Sequence, residues 1–211
     1  MVSVAQARVF GGTIMEFICQ APGIYRLKVP FYSVYTSVFL ICTKTKKILL
    51  DCATTKEDVE GYIIPALAKL GIAVTDIDYL VISHSHSDHA GGKEHLLRHA
   101  PQIKVITEAL PMPDGIEIYP MPGHSADCIG LFDTKSGTLI TADGLQGAGI
   151  GKYRAYFALP DAYCDNIARI RADERIQTIL FSHAYEPWYR DSMVGRDEII
   201  ACLDTCLEYV K

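Results

Sequence analysis

The segment His84-Ser85-His86-Ser87-Asp88-His89 places four metal-binding side chains within six positions. It directly follows an apolar run at residues 79–82 that predicts a buried strand. Imidazole nitrogens and carboxylate oxygens suit zinc, iron or manganese. The first two histidines are two positions apart and project to the same side of an extended chain, whereas the adjacent aspartate and last histidine must diverge. One loop could therefore give two ligands to one metal and two to a neighbouring metal.

Three further candidate ligands occur near the ends of later predicted strands. His124 lies in a turn before a predicted strand, and Asp143 and His183 each follow directly on an apolar run. Taken singly, a polar residue at a strand end is typical of a cap or a turn. Together with the histidine-rich loop, these residues predict that loops from several strands converge on one edge of the fold.

Size and composition favour an ordinary folded domain. The chain has 211 residues, a net charge of −5, 49% apolar residues and 21% charged residues. A chain of this length buries roughly 70% of its unfolded surface and needs no disulfide support. We therefore expect one domain over residues 1–211. The densest basic run, at 44–47, predicts a hairpin turn, so we expect no nucleic-acid partner.

The cysteines and the apolar runs indicate a cytoplasmic protein. Seven cysteines, an odd number with no C-x-x-C pair, favour reduced thiols over a secreted disulfide framework. The N-terminus lacks the pattern of a signal peptide, and no apolar run is long enough to span a bilayer. We expect no membrane partner. Two histidines at 95 and 99 predict a solvated helix face rather than another metal site.

Strand and helix signals alternate in each half of the chain. In the first half, β-branched and aromatic residues predict strands at 9–19, 24–29, 33–42, 47–50 and 79–82. Helical spacing predicts helices at 56–70, capped by Thr54 or Thr55, and at 92–99. In the second half, strands are predicted at 103–107, 117–119, 128–132, 138–141 and 178–181, and helices at 162–171 and 197–209. Two packed sheets with helices outside are the expected architecture.

The combination of motifs resembles the metallo-β-lactamase superfamily over nearly the whole chain, from about Tyr25 to the C-terminus. The motifs are Asp51 after the apolar run 48–50, then S-H-S-H-S-D-H-A-G-G, P-G-H-S, A-D-G and S-H-A, in this order. This resemblance implies an α/β (α+β) fold. It is a four-layer αββα sandwich of two mixed sheets with helices outside, and its site lies at one edge of the sheets.

The resemblance also implies a role for each candidate ligand. The ligands of the first metal would be His84, His86 and His124. The ligands of the second metal would be Asp88, His89 and His183, with Asp143 bridging both metals. Asp51 matches an acid that steadies the ligand loop in this superfamily, although its position in the sequence fits a helix cap or a turn equally well.

Because His89 and Asp143 are both present, the chain is most similar to the hydroxyacylglutathione hydrolase and lactonase branch. This implies a metal-dependent hydrolase in which a hydroxide held between two divalent metals attacks a thioester, ester or lactone. Asp88 would also act in catalysis, because it could orient the hydroxide and receive its proton. Zinc is the expected metal, and iron or manganese suits the same mixed ligands.

The glycine-rich segment after Asp143 is the expected substrate-binding region. Lys152, Tyr153 and Arg154 lie in a stretch similar to the glutathione-binding stretch of hydroxyacylglutathione hydrolases. Lys152 matches a lysine there, whereas Arg154 stands where a tyrosine is expected. The stretch predicts a small-molecule partner with a carboxylate or phosphate, and an ordinary surface loop is the alternative.

Two other functions stay open at this point. One is a mononuclear iron sulfur dioxygenase of the same fold, which shares many of these ligands. The other is a non-catalytic binding protein, although a site released from chemistry need not keep seven candidate ligands. A homo-oligomer is also compatible with the sequence.

Overall fold

The computed structural model describes residues 15–145, 157–184, 190–208 and 210. Within these ranges the strands form two sheets. The six-stranded sheet has the order β1-β2-β3-β4-β5-β6 and contains β1 (Ile18–Ala21), β2 (Ile24–Phe31), β3 (Val34–Cys42), β4 (Lys47–Leu50), β5 (Tyr79–Val81) and β6 (Lys104–Ile106). The five-stranded sheet has the order β11-β10-β9-β8-β7 and contains β7 (Ile116–Pro120), β8 (Ile129–Asp133), β9 (Thr138–Ala142), β10 (Thr178–Phe181) and β11 (Ser192–Val194).

Helices lie in the connections between strands and after the last strand. They are α1 (Lys56–Asp58), α2 (Ile64–Lys69), α3 (Ser87–Ala90), α4 (Lys93–His99), α5 (Pro160–Ala172) and α6 (Arg196–Glu208). A π-helical turn, Val59–Ile63, joins α1 to α2, so the helix predicted at 56–70 is confirmed. Its cap is Thr55, whose Oγ1 accepts a hydrogen bond from the Asp58 amide while the Asp58 carboxylate accepts one from the Thr55 amide. In the part of the chain that the structure describes, no helix is long and apolar enough to cross a membrane.

Three apolar cores define the layers of the sandwich. One lies between the first sheet and a helical layer made of the π-helical turn, α2 and α4, and another lies between the second sheet and the helices α5 and α6. The third lies between the two sheets. Alternation along a strand produces this division: Leu49 faces the helices, whereas its neighbours Ile48 and Leu50 face the other sheet. The predicted αββα architecture of two sheets with helices outside is confirmed.

Strand direction explains where loops converge. The pairs β4–β5, β5–β6 and β9–β10 are parallel, and the remaining pairs are antiparallel, so both sheets are mixed. The carboxyl ends of parallel neighbours lie at the same edge of a sheet. Directly after β4, the Asp51 amide donates to the Val81 carbonyl at the end of β5, with an N–O distance of 2.8 Å. The segments that follow these strands therefore share one rim.

Two strand predictions differ from the structure. The predicted strand 9–19 lies largely outside the described residues, and β1 begins only at Ile18, which is 53% exposed at the sheet edge. The three-residue β11 was not predicted, because it pairs only with β10 and shows no clear apolar alternation. Short edge strands depend on pairing with a neighbour more than on intrinsic preference. Each half of the chain supplies one sheet and its helices, as the alternation indicated.

Close packing against the segment 52–54 requires the two glycines that follow His89. The Cys52 amide donates to the His89 carbonyl at 2.9 Å, and the Gly92 amide donates to the Ala53 carbonyl at 3.0 Å. A Cβ at Gly92 would lie 2.1 Å from the Cys52 carbonyl oxygen, and one at Gly91 would lie 2.3 Å from the Thr54 carbonyl oxygen. Only residues without a Cβ allow the histidine-rich loop to lie this close to the end of β4.

Gly92→Ala should therefore destabilise the fold, because the new methyl group meets backbone that cannot rotate away. We expect a loss of about 1–3 kcal/mol in the free energy of unfolding, measured by urea denaturation. Gly61→Ala is the matched control, since a Cβ there has no heavy atom within 4 Å. The control should be neutral or stabilising by up to about 1 kcal/mol. Equal unfolding midpoints for the two variants would contradict this account of the packing.

Candidate metal centre

Seven ionisable side chains meet at the shared rim of the two sheets. They come from the loop after β5, the connection between β7 and β8, and the ends of β9 and β10. Their potential ligand atoms form overlapping groups of three, in each of which all atoms lie within 4.8 Å of one another. The seven residues are His84, His86, Asp88, His89, His124, Asp143 and His183. All except His86 are buried. The structure thus brings together the residues that the sequence analysis singled out, and their role as metal ligands stays a prediction.

The first trio consists of three imidazoles. His86 Nδ1 lies 3.0 Å from His84 Nε2 and 3.0 Å from His124 Nε2. Two nitrogens bound to one tetrahedral zinc lie roughly 3.3 Å apart, since each Zn–N distance is about 2.0–2.1 Å. The three nitrogens are thus spaced as ligands of one small cation would be. Because His86 is exposed, this trio faces solvent.

The second trio combines one carboxylate with two imidazoles. Asp88 Oδ2 lies 3.2 Å from His89 Nε2 and 3.2 Å from His183 Nε2. The adjacent residues Asp88 and His89 lie within the short helix α3, so both side chains leave the backbone within one turn. Their adjacent positions in the sequence predict that the two side chains diverge. In the structure they converge on one point instead. The prediction assumes extended chain, whereas the segment forms the helical turn α3, and this turn explains why the side chains converge.

Asp143 lies between the two trios. Its Oδ1 is 3.3 Å from His183 Nε2 and 3.6 Å from His89 Nε2, while its Oδ2 is 3.7 Å from His124 Nε2. Each carboxylate oxygen therefore faces a different trio. The preceding residue, Ala142, has a φ of 47°, a strained conformation for a non-glycine residue that lies beside the site.

Asp51 orients His89. Asp51 Oδ2 accepts hydrogen bonds from His89 Nδ1 at 2.7 Å and from Ser83 Oγ at 2.8 Å, and its Oδ1 accepts one from the Ser83 amide at 2.7 Å. It is fully buried, which argues against the alternative role as a surface turn. With Nδ1 held by Asp51, Nε2 of His89 is directed at the second trio, where it has no well-formed hydrogen bond to any described residue.

A second network supports His183. His183 Nδ1 donates to the Tyr35 carbonyl at 2.6 Å, and the Tyr35 hydroxyl donates to Asp191 Oδ2 at 2.8 Å. The same carboxylate oxygen lies 2.6 Å from the buried Arg26 guanidinium and 2.6 Å from the Lys28 ammonium. The side chains of Arg26 and Lys28 on β2 therefore share the Asp191 carboxylate. This carboxylate lies next to β3, the strand that carries Tyr35.

The electrostatics of the two trios differ. Burial, with the nearby charge of His89, lowers the pKa of His84 to about 3, so this imidazole stays neutral and keeps a lone pair. Burial alone would also lower the pKa of His183, but Asp143 and Asp88 raise it to about 9. The pKa of His89 is likewise raised, because Asp143 and Asp51 outweigh its burial. The carboxylates therefore make the second trio a site that favours positive charge.

Other residues from the sequence analysis lie elsewhere. Lys152, Tyr153 and Arg154 fall outside the described residues. His99 is exposed on α4 and pairs with Glu60 at 3.1 Å, in agreement with a solvated helix face. The supporting residues Ser83, Tyr35 and Asp191 were not singled out, because their partners are distant in the sequence and no local pattern marks them.

Comparison with known proteins supports the fold and the family. Residues 32–113 match the profile of the metallo-beta-lactamase superfamily. A metallo-beta-lactamase from Pontibacter korlensis superposes with a TM-score of 0.68 at 16% identity, covering 93% of this chain and 98% of that protein. The enzyme of Erythrobacter litoralis gives a TM-score of 0.68 at 19% identity, covering 92% of this chain and 97% of that protein. The two sheets with outer helices thus form the metallo-beta-lactamase fold. The family match lies within residues 32–113, and the likeness to solved structures extends the fold to more than 90% of the chain.

Relatives in sequence have a higher identity but match a shorter part of the chain. A hydroxyacylglutathione hydrolase of Aeromonas hydrophila is 27% identical over 153 residues, which cover 58% of this chain and 58% of that protein. A beta-lactamase-like protein 2 homolog of Caenorhabditis elegans is 27% identical over 142 residues, which cover 57% of this chain and 48% of that protein. The chain spans about half the length of the curated relatives it matches.

The Asp191 network makes a prediction about acid stability. The ordinary pKa of this carboxyl group is 3.8, and burial alone would raise it. The charge of Arg26 and the contacts with Lys28 and Tyr35 outweigh burial, so the pKa of Asp191 is lowered to about 2. A carboxyl group whose pKa is lower in the folded state stabilises the fold above its unfolded pKa, and this contribution disappears as the pH falls toward 2. The shift corresponds to on the order of 2 kcal/mol at pH 7.

Asp191→Asn should therefore lower the free energy of unfolding at pH 7 by on the order of 2 kcal/mol, and the difference from wild type should shrink between pH 4 and pH 2. Urea denaturation across this pH range measures it. Glu94→Gln is the control, because that side chain is 73% exposed and should change stability little at any pH. A difference for Asp191→Asn that is the same at pH 7 and pH 2.5 would be incompatible with the proposed charge interaction.

Proposed function

We propose that this protein is a metal-dependent hydrolase that acts on a thioester, ester or lactone. The observation that carries the proposal is Asp143, whose two oxygens face separate trios of candidate ligands. Such an arrangement would allow Asp143 to contribute to the binding of two divalent cations. The first cation would be held by His84, His86 and His124, and the second by Asp88, His89 and His183, with Asp143 between them.

The donor set fits such cations. Three imidazoles in the first trio and a mixed carboxylate–imidazole set in the second suit zinc first, and iron or manganese as well. His89 Nε2 is buried and lacks a well-formed hydrogen bond among the described residues, as expected of an atom that binds a cation. When bound, divalent metals would polarise an acyl carbonyl and lower the pKa of a water molecule enough to make it a nucleophile at neutral pH.

The chain's own residues would then orient the reactants. The Asp88 side chain is 12% exposed, so its carboxylate reaches the open side of the site. The neighbouring imidazoles of His183 and His89 outweigh burial and keep its pKa low, so Asp88 is ionised at neutral pH. An ionised carboxylate there could accept a hydrogen bond from the attacking water and receive its proton as the reaction proceeds. Asp51 and Tyr35 would prevent His89 and His183 from rotating away.

The substrate is a small molecule, and we propose that it is anionic. This part of the proposal rests on the sequence at Lys152, Tyr153 and Arg154. The two positively charged side chains in this glycine-rich segment suit a carboxylate or phosphate group of the substrate. Similarity to hydroxyacylglutathione hydrolases favours a thioester. Free thiols at Cys19, Cys42, Cys52, Cys128 and Cys164 favour a reducing compartment such as the cytoplasm.

One observation favours a second candidate. Asp88, His89 and His183 form a set of two histidines and one carboxylate, the ligand combination typical of non-haem iron oxygenases. An iron sulfur dioxygenase on this fold could use such a set. The hydrolase is preferred because a mononuclear iron site of this kind needs only three of the seven candidate ligands.

Replacing one candidate ligand should separate metal binding from folding. His86→Ala removes the nitrogen that lies between His84 and His124, so the first cation should be lost. We expect thioesterase activity to fall by more than about 100-fold, with metal content reduced and the circular dichroism spectrum unchanged. His99→Ala is the control, since His99 lies on the helical surface and, among the described residues, its side chain pairs with Glu60. Full turnover by a metal-depleted His86→Ala protein would overturn the proposal.

Metal exchange should distinguish the two candidate functions. Apoprotein reloaded with zinc should hydrolyse thioesters or lactones without consuming oxygen, because zinc has no redox chemistry. Apoprotein reloaded with iron(II) and given a glutathione persulfide should take up no oxygen above background. Oxygen uptake that depends on both iron and persulfide, together with inactivity of the zinc form on a panel of thioesters, esters and lactones, would establish the dioxygenase instead.

A further inference from the structure

Asp127 joins the two loops that carry the first trio. Its Oδ2 accepts a hydrogen bond from the Ser85 amide at 2.9 Å, and its Oδ1 accepts one from Ser125 Oγ at 2.5 Å. Ser85 lies between His84 and His86, and Ser125 directly follows His124. One carboxylate therefore contacts the immediate sequence neighbours of all three imidazoles in this trio.

The relative position of these loops decides whether the trio exists. The loop with His84 and His86 follows β5 of the first sheet, whereas His124 belongs to the connection between β7 and β8 of the second sheet. The contact between His86 Nδ1 and His124 Nε2 therefore crosses from one sheet to the other. His86 is exposed, so packing restrains it less than it restrains His84.

We infer that Asp127 is a positioning residue that holds the His84–His86 loop against the His124 loop and so sets the affinity of the first cation site. This inference rests on the proposed function, in which the first trio binds a metal. Both Asp127 oxygens already accept hydrogen bonds, and Asp127 belongs to none of the candidate ligand groups among the described residues. It would act through the histidines rather than as a ligand itself.

The chain contains a matched carboxylate remote from the site. Asp114 Oδ2 accepts hydrogen bonds from Thr43 Oγ1 at 2.7 Å, from the Thr45 amide at 2.8 Å and from Thr45 Oγ1 at 2.7 Å. It joins the turn between β3 and β4 to the loop before β7, at the opposite end of the sandwich. Asp114 is thus another carboxylate that joins two loops, but none of its partners adjoins a candidate ligand.

The test compares Asp127→Ala, Asp127→Asn and Asp114→Ala with wild type. Zinc affinity is measured by competition with a chromophoric chelator, and the environment of the first site is followed by the visible absorption of bound cobalt(II). Asp127→Ala should weaken binding at the first site about 10- to 100-fold and change the cobalt(II) spectrum, while binding at the second site changes little. Asp127→Asn retains one acceptor oxygen and should lose less affinity. Asp114→Ala should bind zinc as wild type does.

The possible results separate this inference from the proposed function. If wild type binds zinc and Asp127→Ala binds it with the same affinity and cobalt(II) spectrum, Asp127 is not a positioning residue, and the proposed function is unaffected. Equal losses of affinity in Asp127→Ala and Asp114→Ala would assign the effect to general destabilisation and also overturn the inference. A wild type that binds no divalent metal would overturn the proposed function and the inference with it. If Asp127→Ala fails to fold, Asp127→Asn decides by the same criteria.

Discussion

The buried carboxylates Asp88 and Asp143 are the constraint on which the site depends. Both are packed among imidazoles at the rim of the sandwich, where water cannot fully solvate their charge. Such groups are stable only when positive charge lies beside them. The raised pKa values of His89 and His183 have the same cause, because the carboxylates beside these imidazoles favour positive charge on them. Divalent cations would supply it more effectively, because they contact several carboxylate and imidazole ligands at once.

The sandwich places these carboxylates among imidazoles because it brings the ends of several strands together at one rim. Parallel pairing of β4 with β5 and of β9 with β10 directs four chain segments to one rim, and two facing sheets place those segments opposite one another. The approach is close enough that Gly91 and Gly92 cannot carry a Cβ. Positive φ values at Asp51 and Ala142 show that the backbone beside the site accepts strain to reach this geometry.

Three carboxylates that are not candidate ligands complete the arrangement. Asp51 binds His89, Asp191 binds the Tyr35 side chain whose backbone holds His183, and Asp127 contacts both loops of the first trio. Each fixes an element at a different part of the rim. Because imidazole rings rotate easily about their side-chain bonds, such partners decide whether nitrogens point into the site or away from it.

The sequence by itself determined which residues could take part in metal chemistry and which faces of the strands are apolar. Those properties depend on local spacing: the histidine-rich loop, the polar residues at strand ends and the alternation in β4 are all visible within a few positions. Only the tertiary structure decided how Asp143 faces both trios and which residues support the histidines. Tyr35 is 148 residues from His183 and 156 from Asp191, and Asp127 is 42 from Ser85. Contacts between segments so far apart arise from sheet packing, which leaves no periodic signal in the chain.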